Sequence, residues 1–181
     1  MKFHCSDEVQ HPIEKVMVLL RDEMPKLVPY LNDVEEIVVL EHRDEPDAEH
    51  YDNLWRASAD SAPVVVRKFL SPDLLSWRDI ARWPKGATHA EWRLQPKVGS
   101  SLFECTGKTS VTPTASGCRI QIEGDLNIYP ERVPGVPRLL AGKLRSKIEG
   151  WVVDMIVPNL QTMSRGVQAY FDDLESGMGD A

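Results

Sequence analysis

LAGKLRSKIEGWVVDMIVPNLQTMSRGVQAYFDDL, residues 140–174, is the stretch that decides the fold. Within it Leu140, Leu144, Ile148, Trp151, Val152, Met155, Leu160, Met163, Val167, Tyr170 and Leu174 return mostly at steps of three or four, which describes a helix with one apolar face. At 1.5 Å per residue such a helix reaches about 50 Å, enough to lie across the whole face of a sheet. Pro158 sits inside it without an N–H to donate, so the sequence predicts a kink there. Gly142, Ser146 and Gly150 repeat at every fourth residue. That strip of small side chains suits close packing on a sheet, with a ligand groove as the alternative.

Upstream of the helix the period changes from three or four to two. Residues 75–83, 88–95, 102–112 and 118–129 read as strands, separated by the turn signals Pro84-Lys85-Gly86, Pro96-Lys97-Val98-Gly99 and Pro113-Thr114-Ala115-Ser116-Gly117. Residues 34–43 and 50–60 form a further hairpin around the polar turn 44–47. Residues 62–73 read as a crossover with a short helix. Residues 1–10 make a first strand, after which Pro12 opens a helical stripe of Ile13, Val16, Met17, Leu20, Met24, Leu27, Val28 and Leu31. Pro25 and Pro29 break that stripe into two short helices. The expectation is an antiparallel meander with one long C-terminal helix, not alternating β and α units.

A chain of 181 residues fits one domain, here a core over residues 1–175 and a flexible tail over 176–181. With 42% apolar and 27% charged residues it has the composition of an ordinary globular protein. The net charge of −7 argues against a general affinity for nucleic acid. No apolar run approaches the ~20 residues that cross a bilayer, and acids stand near the N-terminus where an export signal would be apolar, so a cytoplasmic location is expected. Cys5, Cys105 and Cys118 form no CxxC pair and read as free thiols. His42 and His50 stand eight residues apart in an acidic hairpin, which fits no zinc spacing. No Gly-rich phosphate motif occurs, so neither metal nor cofactor is expected.

The order of one strand, two short helices, six strands and a long helix resembles the helix-grip fold of the START-like (SRPBCC) superfamily. Trp92-Arg93-Leu94-Gln95-Pro96, Phe103-Glu104-Cys105-Thr106-Gly107-Lys108 and Arg119-Ile120-Gln121-Ile122-Glu123-Gly124-Asp125-Leu126 are similar to its late strands. Pro137-Arg138-Leu139-Leu140-Ala141-Gly142-Lys143 and Ile148-Glu149 are similar to the start of its helix. Pro63-Val64-Val65-Val66-Arg67-Lys68-Phe69 bears a fainter resemblance to PRELI-type lipid-transfer domains. The resemblance implies an α+β domain whose seven-stranded curved antiparallel sheet wraps around the C-terminal helix. It also implies a cavity between them for a lipid-like or other hydrophobic or amphipathic molecule. An enzyme of the cyclase/dehydratase kind, acting on a polyketide-like substrate in the same cavity, is the alternative.

Strand alternation nominates the cavity wall: Tyr51, Asn53, Trp55 and Ala57; Leu75, Trp77, Asp79 and Trp83; Trp92 and Leu94; Phe103 and Cys105; and Ile120, Ile122 and Leu126, with Trp151 and Met155 of the helix against them. Tryptophans near one space suit an amphipathic ligand, although each alone is more often a packing residue. A buried Asp79 needs a partner, and Arg56, Arg78 and Arg93 are the nearest by type. Arg132, Arg138, Lys143, Arg145 and Lys147 stand in a stretch that has no acid between Arg132 and Lys147. They are the candidates for transient contact with an anionic membrane, against an ordinary solvated helix face.

Overall fold

The computed structural model describes residues 1–59, 72–97, 102–129, 132 and 138–177. Its elements run β1 (Lys2–Val9), α1 (Ile13–Arg21), a 3-10 helix (Met24–Tyr30), β2 (Val34–Asp44), β3 (Ala48–Ala57), a short 3-10 turn (Pro72–Leu75), β4 (Ser76–Pro84), β5 (His89–Pro96), β6 (Phe103–Pro113), β7 (Cys118–Ile128) and α2 (Arg138–Glu175). The seven strands form one antiparallel sheet in the order β1-β7-β6-β5-β4-β3-β2. The meander read from the sequence is therefore closed on one side by β1, which returns to pair with β7. Residues 60–71, which hold most of the expected crossover 62–73 and the PRELI-like stretch 63–69, lie outside the described residues.

The local chemistry explains the joints. The Pro84-Lys85-Gly86 turn closes with Ala87 N–H donating to the Pro84 carbonyl at 3.1 Å. Gly86 takes φ +75° there, a conformation that a side chain resists at the third position of a tight turn. Along β4 the burial alternates as period two demands, with Trp77, Asp79, Ala81 and Trp83 inward and Arg78 outward. Edge strand β2 departs from this pattern, since its residues beyond Ile37 are exposed, Val38, Val39 and Leu40 among them. A bulge between Val39 and Glu41 interrupts its pairing with β3, as is common where an edge must be kept from templating another strand.

Helix α2 continues unbroken through Pro158, where the sequence predicts a kink. Thr162 Oγ1 donates to the Pro158 carbonyl at 2.7 Å in that turn. The helix packs chiefly on β1, β7 and the 3-10 helix, and four contacts are among those that hold it there. Cys5 Sγ donates to the Leu160 carbonyl at 3.6 Å, Ser164 Oγ to Asp7 Oδ2 at 2.9 Å, and Tyr30 OH to Asp173 Oδ2 at 2.9 Å. The fourth is the ring of buried His11, 4.6 Å from that of Phe171. Anchored along β1 and β7, the helix faces the middle strands β3, β4 and β5 across a gap. Among the described residues no helix is long and apolar enough to cross a membrane.

Candidate functional site

That gap is a cavity of about 50 Å³, room for roughly three to five waters at ~10–15 Å³ each. From the sheet it is lined by Asn53 and Trp55 of β3, Trp77, Asp79, Ala81 and Trp83 of β4, Ala90, Trp92 and Leu94 of β5, Thr109 of β6 and Ile122 of β7. Leu20 and Met24 close one side, and Ile156, Asn159, Leu160 and Met163 of α2 form the roof. Of the wall residues nominated from the sequence, the structure brings together Asn53, Trp55, Trp77, Asp79, Trp83, Trp92, Leu94 and Ile122. It places Tyr51, Ala57, Leu75, Phe103, Cys105, Ile120, Leu126 and Trp151 in the core and not among the residues lining this space. The side chain of Met155 lies outside the described residues. Ala81, Ala90 and Thr109 of the sheet and Leu20, Met24, Ile156, Asn159, Leu160 and Met163 of the helices also line it without being nominated from the sequence; for the helix residues the reason is that strand alternation says nothing about which turn of a helix stands over a gap.

Register assembles the polar end of the cavity. Asn53 is paired with Asp79, and Asp79 with Leu94. One step along, Trp55 is paired with Trp77 and their rings stack at 5.8 Å. Asp79 is only 9% exposed. Removal from water disfavours its charged form and pushes its pKa up to about 7. The Trp55 indole N–H faces the carboxyl and opposes that shift, but stops short of hydrogen-bond geometry, so Trp55 Nε1 is buried without a partner. Asn53 Oδ1 is likewise buried without a hydrogen bond. Trp92 Nε1 is satisfied, donating to Thr109 Oγ1 at 3.0 Å.

The arginine partner expected for Asp79 is absent among the described residues, and the pleat explains why. Arg56 and Arg78 are one residue out of phase with the inward face, so they point to the outer side of the sheet. There Arg78 Nε donates to Asp52 Oδ1 at 2.9 Å, and Arg56 pairs with Glu35 and Glu36. Arg93, between inward Trp92 and Leu94, is exposed for the same reason.

The acidic hairpin is a network of ion pairs. Arg43 meets Glu41 and Glu45, Lys85 meets Asp44, and Arg82 meets Asp47. His42 stacks on Tyr51 at 4.2 Å and pairs with Glu49. Behind it Tyr51 OH donates to Asp22 Oδ1 at 2.7 Å. Burial raises the Asp22 pKa, but the hydrogen bonds from Arg21 and Tyr51 outweigh it and hold the group below its ordinary value. Burial pushes the Cys105 thiol up to about 12, and the thiols of Cys5 and Cys118 are raised by the same cause. In the basic stretch Arg145 and Lys147 are exposed, and Arg145 Nε donates to Glu149 at 2.9 Å. The side chains of Arg138 and Lys143 lie outside the described residues.

Solved structures share this architecture over nearly the whole chain. The Zhui aromatase/cyclase of Streptomyces sp. R1128 superposes with a TM-score of 0.61 at 10% identity, over 100% of this chain and 99% of its own. The protein TTHA0849 from Thermus thermophilus gives 0.58 at 17% identity, over 93% and 98%. The likeness shows the fold, a helix grip. The helix-grip chain also matches the di-domain ARO/CYC StfQ from the steffimycin biosynthetic pathway, with a TM-score of 0.53 at 15% identity, over 97% of this chain and 52% of that one. No family model and no curated protein sequence matches. The similarity to PRELI-type domains is not shown.

Proposed function

We propose that this helix-grip protein binds a hydrophobic or amphipathic small molecule in the cavity between its sheet and α2. The observation that carries the reading is the wall itself, with four tryptophans and aliphatic side chains around one buried polar end. Apolar walls with a few placed polar groups are what small-molecule sites look like. The cavity as it stands is smaller than the ~300–1,000 Å³ of a typical ligand pocket, so the ligand is taken up by displacing α2 from the middle strands. Native mass spectrometry of freshly purified protein, followed by organic extraction, tests this. A stoichiometric added mass that extraction removes is the expected result, and an apo protein that takes up no apolar probe overturns it.

The competing reading is a cyclase/dehydratase-type enzyme working in the same cavity. Asp79 favours it, because a carboxyl with a pKa of about 7 is suited to general acid–base work near neutral pH, and an aromatase/cyclase shares the fold. Against it, Asp79 is the only acidic or basic side chain among the described residues that line the cavity, where such catalysis ordinarily uses two or more converging groups. The basic stretch of α2, Arg138, Lys143, Arg145 and Lys147, supports transient docking on an anionic membrane while ligand is exchanged.

A further inference from the structure

Two features of the cavity together describe a head group. Trp55, Trp77, Trp83 and Trp92 face it, four of the chain's five tryptophans, and an aromatic ring presents a negative face. Asp79 is buried among them. No Lys, Arg or His among the described residues lines the cavity, and none of those residues forms an ion pair with that carboxyl. Asn53, its partner across the β3–β4 ladder, adds a carbonyl oxygen, Oδ1, buried without a hydrogen bond.

A buried carboxylate is ordinarily paired with a cation, and among the described residues none takes that place. The oxygens beside that place, on Asp79 and Asn53, are acceptors. A group that satisfies neighbouring acceptors and also lies well against indole faces is a positively charged donor. We propose that the ligand carries a protonated amine, seated on Asp79 and Asn53 Oδ1 against the stacked rings of Trp55 and Trp77. This rests on the reading of the cavity as a ligand site. A carboxylate or phosphate head would meet a like charge and no cation, and a hydroxyl would leave the Asp79 charge uncompensated. The cavity's volume suits a head group of a few heavy atoms, while the apolar remainder of the ligand lies along Leu160 and Met163.

The test is calorimetric titration of the intact protein at pH 8 with three probes of one tail length: n-octylamine, n-octanol and octanoate. The amine binds at least about tenfold more tightly than the alcohol, and octanoate most weakly. Asp79→Asn removes the amine's advantage while leaving octanol within about threefold. Because Asp79 is buried, that variant keeps the acidic surface, so non-specific attraction of amines is held constant. Thermal unfolding checks that the variant folds, and if it does not, the ranking of the probes on the native protein decides. Equal affinity for amine and alcohol, tighter octanoate, or an amine preference that survives Asp79→Asn overturns the inference and leaves the cavity an unselective apolar site. Failure of all three probes, with nothing co-purifying, overturns the proposed function and the inference with it.

Discussion

The indole of Trp92 fills the space in which a side chain at Gly107 would stand. The two residues are paired across β5 and β6, and a Cβ at Gly107 would collide with Cζ2 and Cη2 of the ring and with the backbone oxygen of Glu123. The ring cannot simply swing aside, because its Nε1 is bonded to Thr109. Gly107→Ala therefore destabilises the protein by about 1–3 kcal/mol, the usual cost of overpacking. At ~2–4 °C per kcal/mol for a chain of this length, the melting temperature falls by several degrees. An unchanged melting temperature would show that Trp92 does not rest on this glycine.

Asp79 makes stability depend on pH in the direction opposite to a surface carboxylate. Its pKa is raised by burial to about 7 in the folded protein, against about 3.9 in an unfolded chain, so the folded state holds the proton more tightly. Its contribution is full below about pH 4 and is lost as pH rises through about 7, a swing on the order of 4 kcal/mol. Asp79→Asn cancels this. The variant unfolds at a higher temperature than the native protein at pH 8 and at about the same temperature at pH 4, read by circular dichroism. A variant less stable at pH 8 would mean that the native carboxylate is compensated there.

Lys147 and Arg145 should differ at a membrane, although both are exposed on α2. Arg145 already spends its charge on Glu149, whereas no ion pair of Lys147 is found among the described residues. A free basic side chain near an anionic surface contributes about 1 kcal/mol, roughly a fivefold change in partitioning. Lys147→Ala thus lowers co-sedimentation with phosphatidylserine-containing vesicles about fivefold, and Arg145→Ala lowers it less. Sedimentation that does not respond to added anionic lipid would remove membrane docking altogether.

Trp77, Asp79 and Trp83 show what was readable before any coordinates. Alternation put them on one face of one strand, and they are on that face, because period two is a property of the backbone alone. The sheet and α2 were legible for the same reason. Asn53 beside Asp79 is a different matter, since which residue stands opposite which is set by the strand register. The division between Ile122, on the cavity wall, and Leu126, in the core on the same strand, depends on where α2 comes down on the sheet. Met24 and Asn159 belong to that same class. Each lies on an apolar or mixed helix face whose period was visible, while the gap over which it stands exists only once helix and sheet are docked.

The three thiols should report how that docking gives way. Cys105 and Cys118 are fully buried, whereas Cys5 is partly exposed and its Sγ donates to the Leu160 carbonyl at the seam between β1 and α2. Only the thiolate reacts with a disulfide reagent, and burial raises the pKa of all three, so labelling of the native protein at pH 8 is slow throughout. The order is nevertheless fixed by what must open. Cys5, on edge strand β1, needs only a local parting of α2 from the sheet, which costs less than global unfolding, whereas Cys105 and Cys118 are buried on the inner strands β6 and β7. One thiol should therefore label in a first phase that Cys5→Ser abolishes, with the other two following at the rate of global unfolding. If Cys105 labelled first, β6 and not the seam beside Cys5 would be the part that opens, and ligand uptake by displacement of α2 would lose its physical basis.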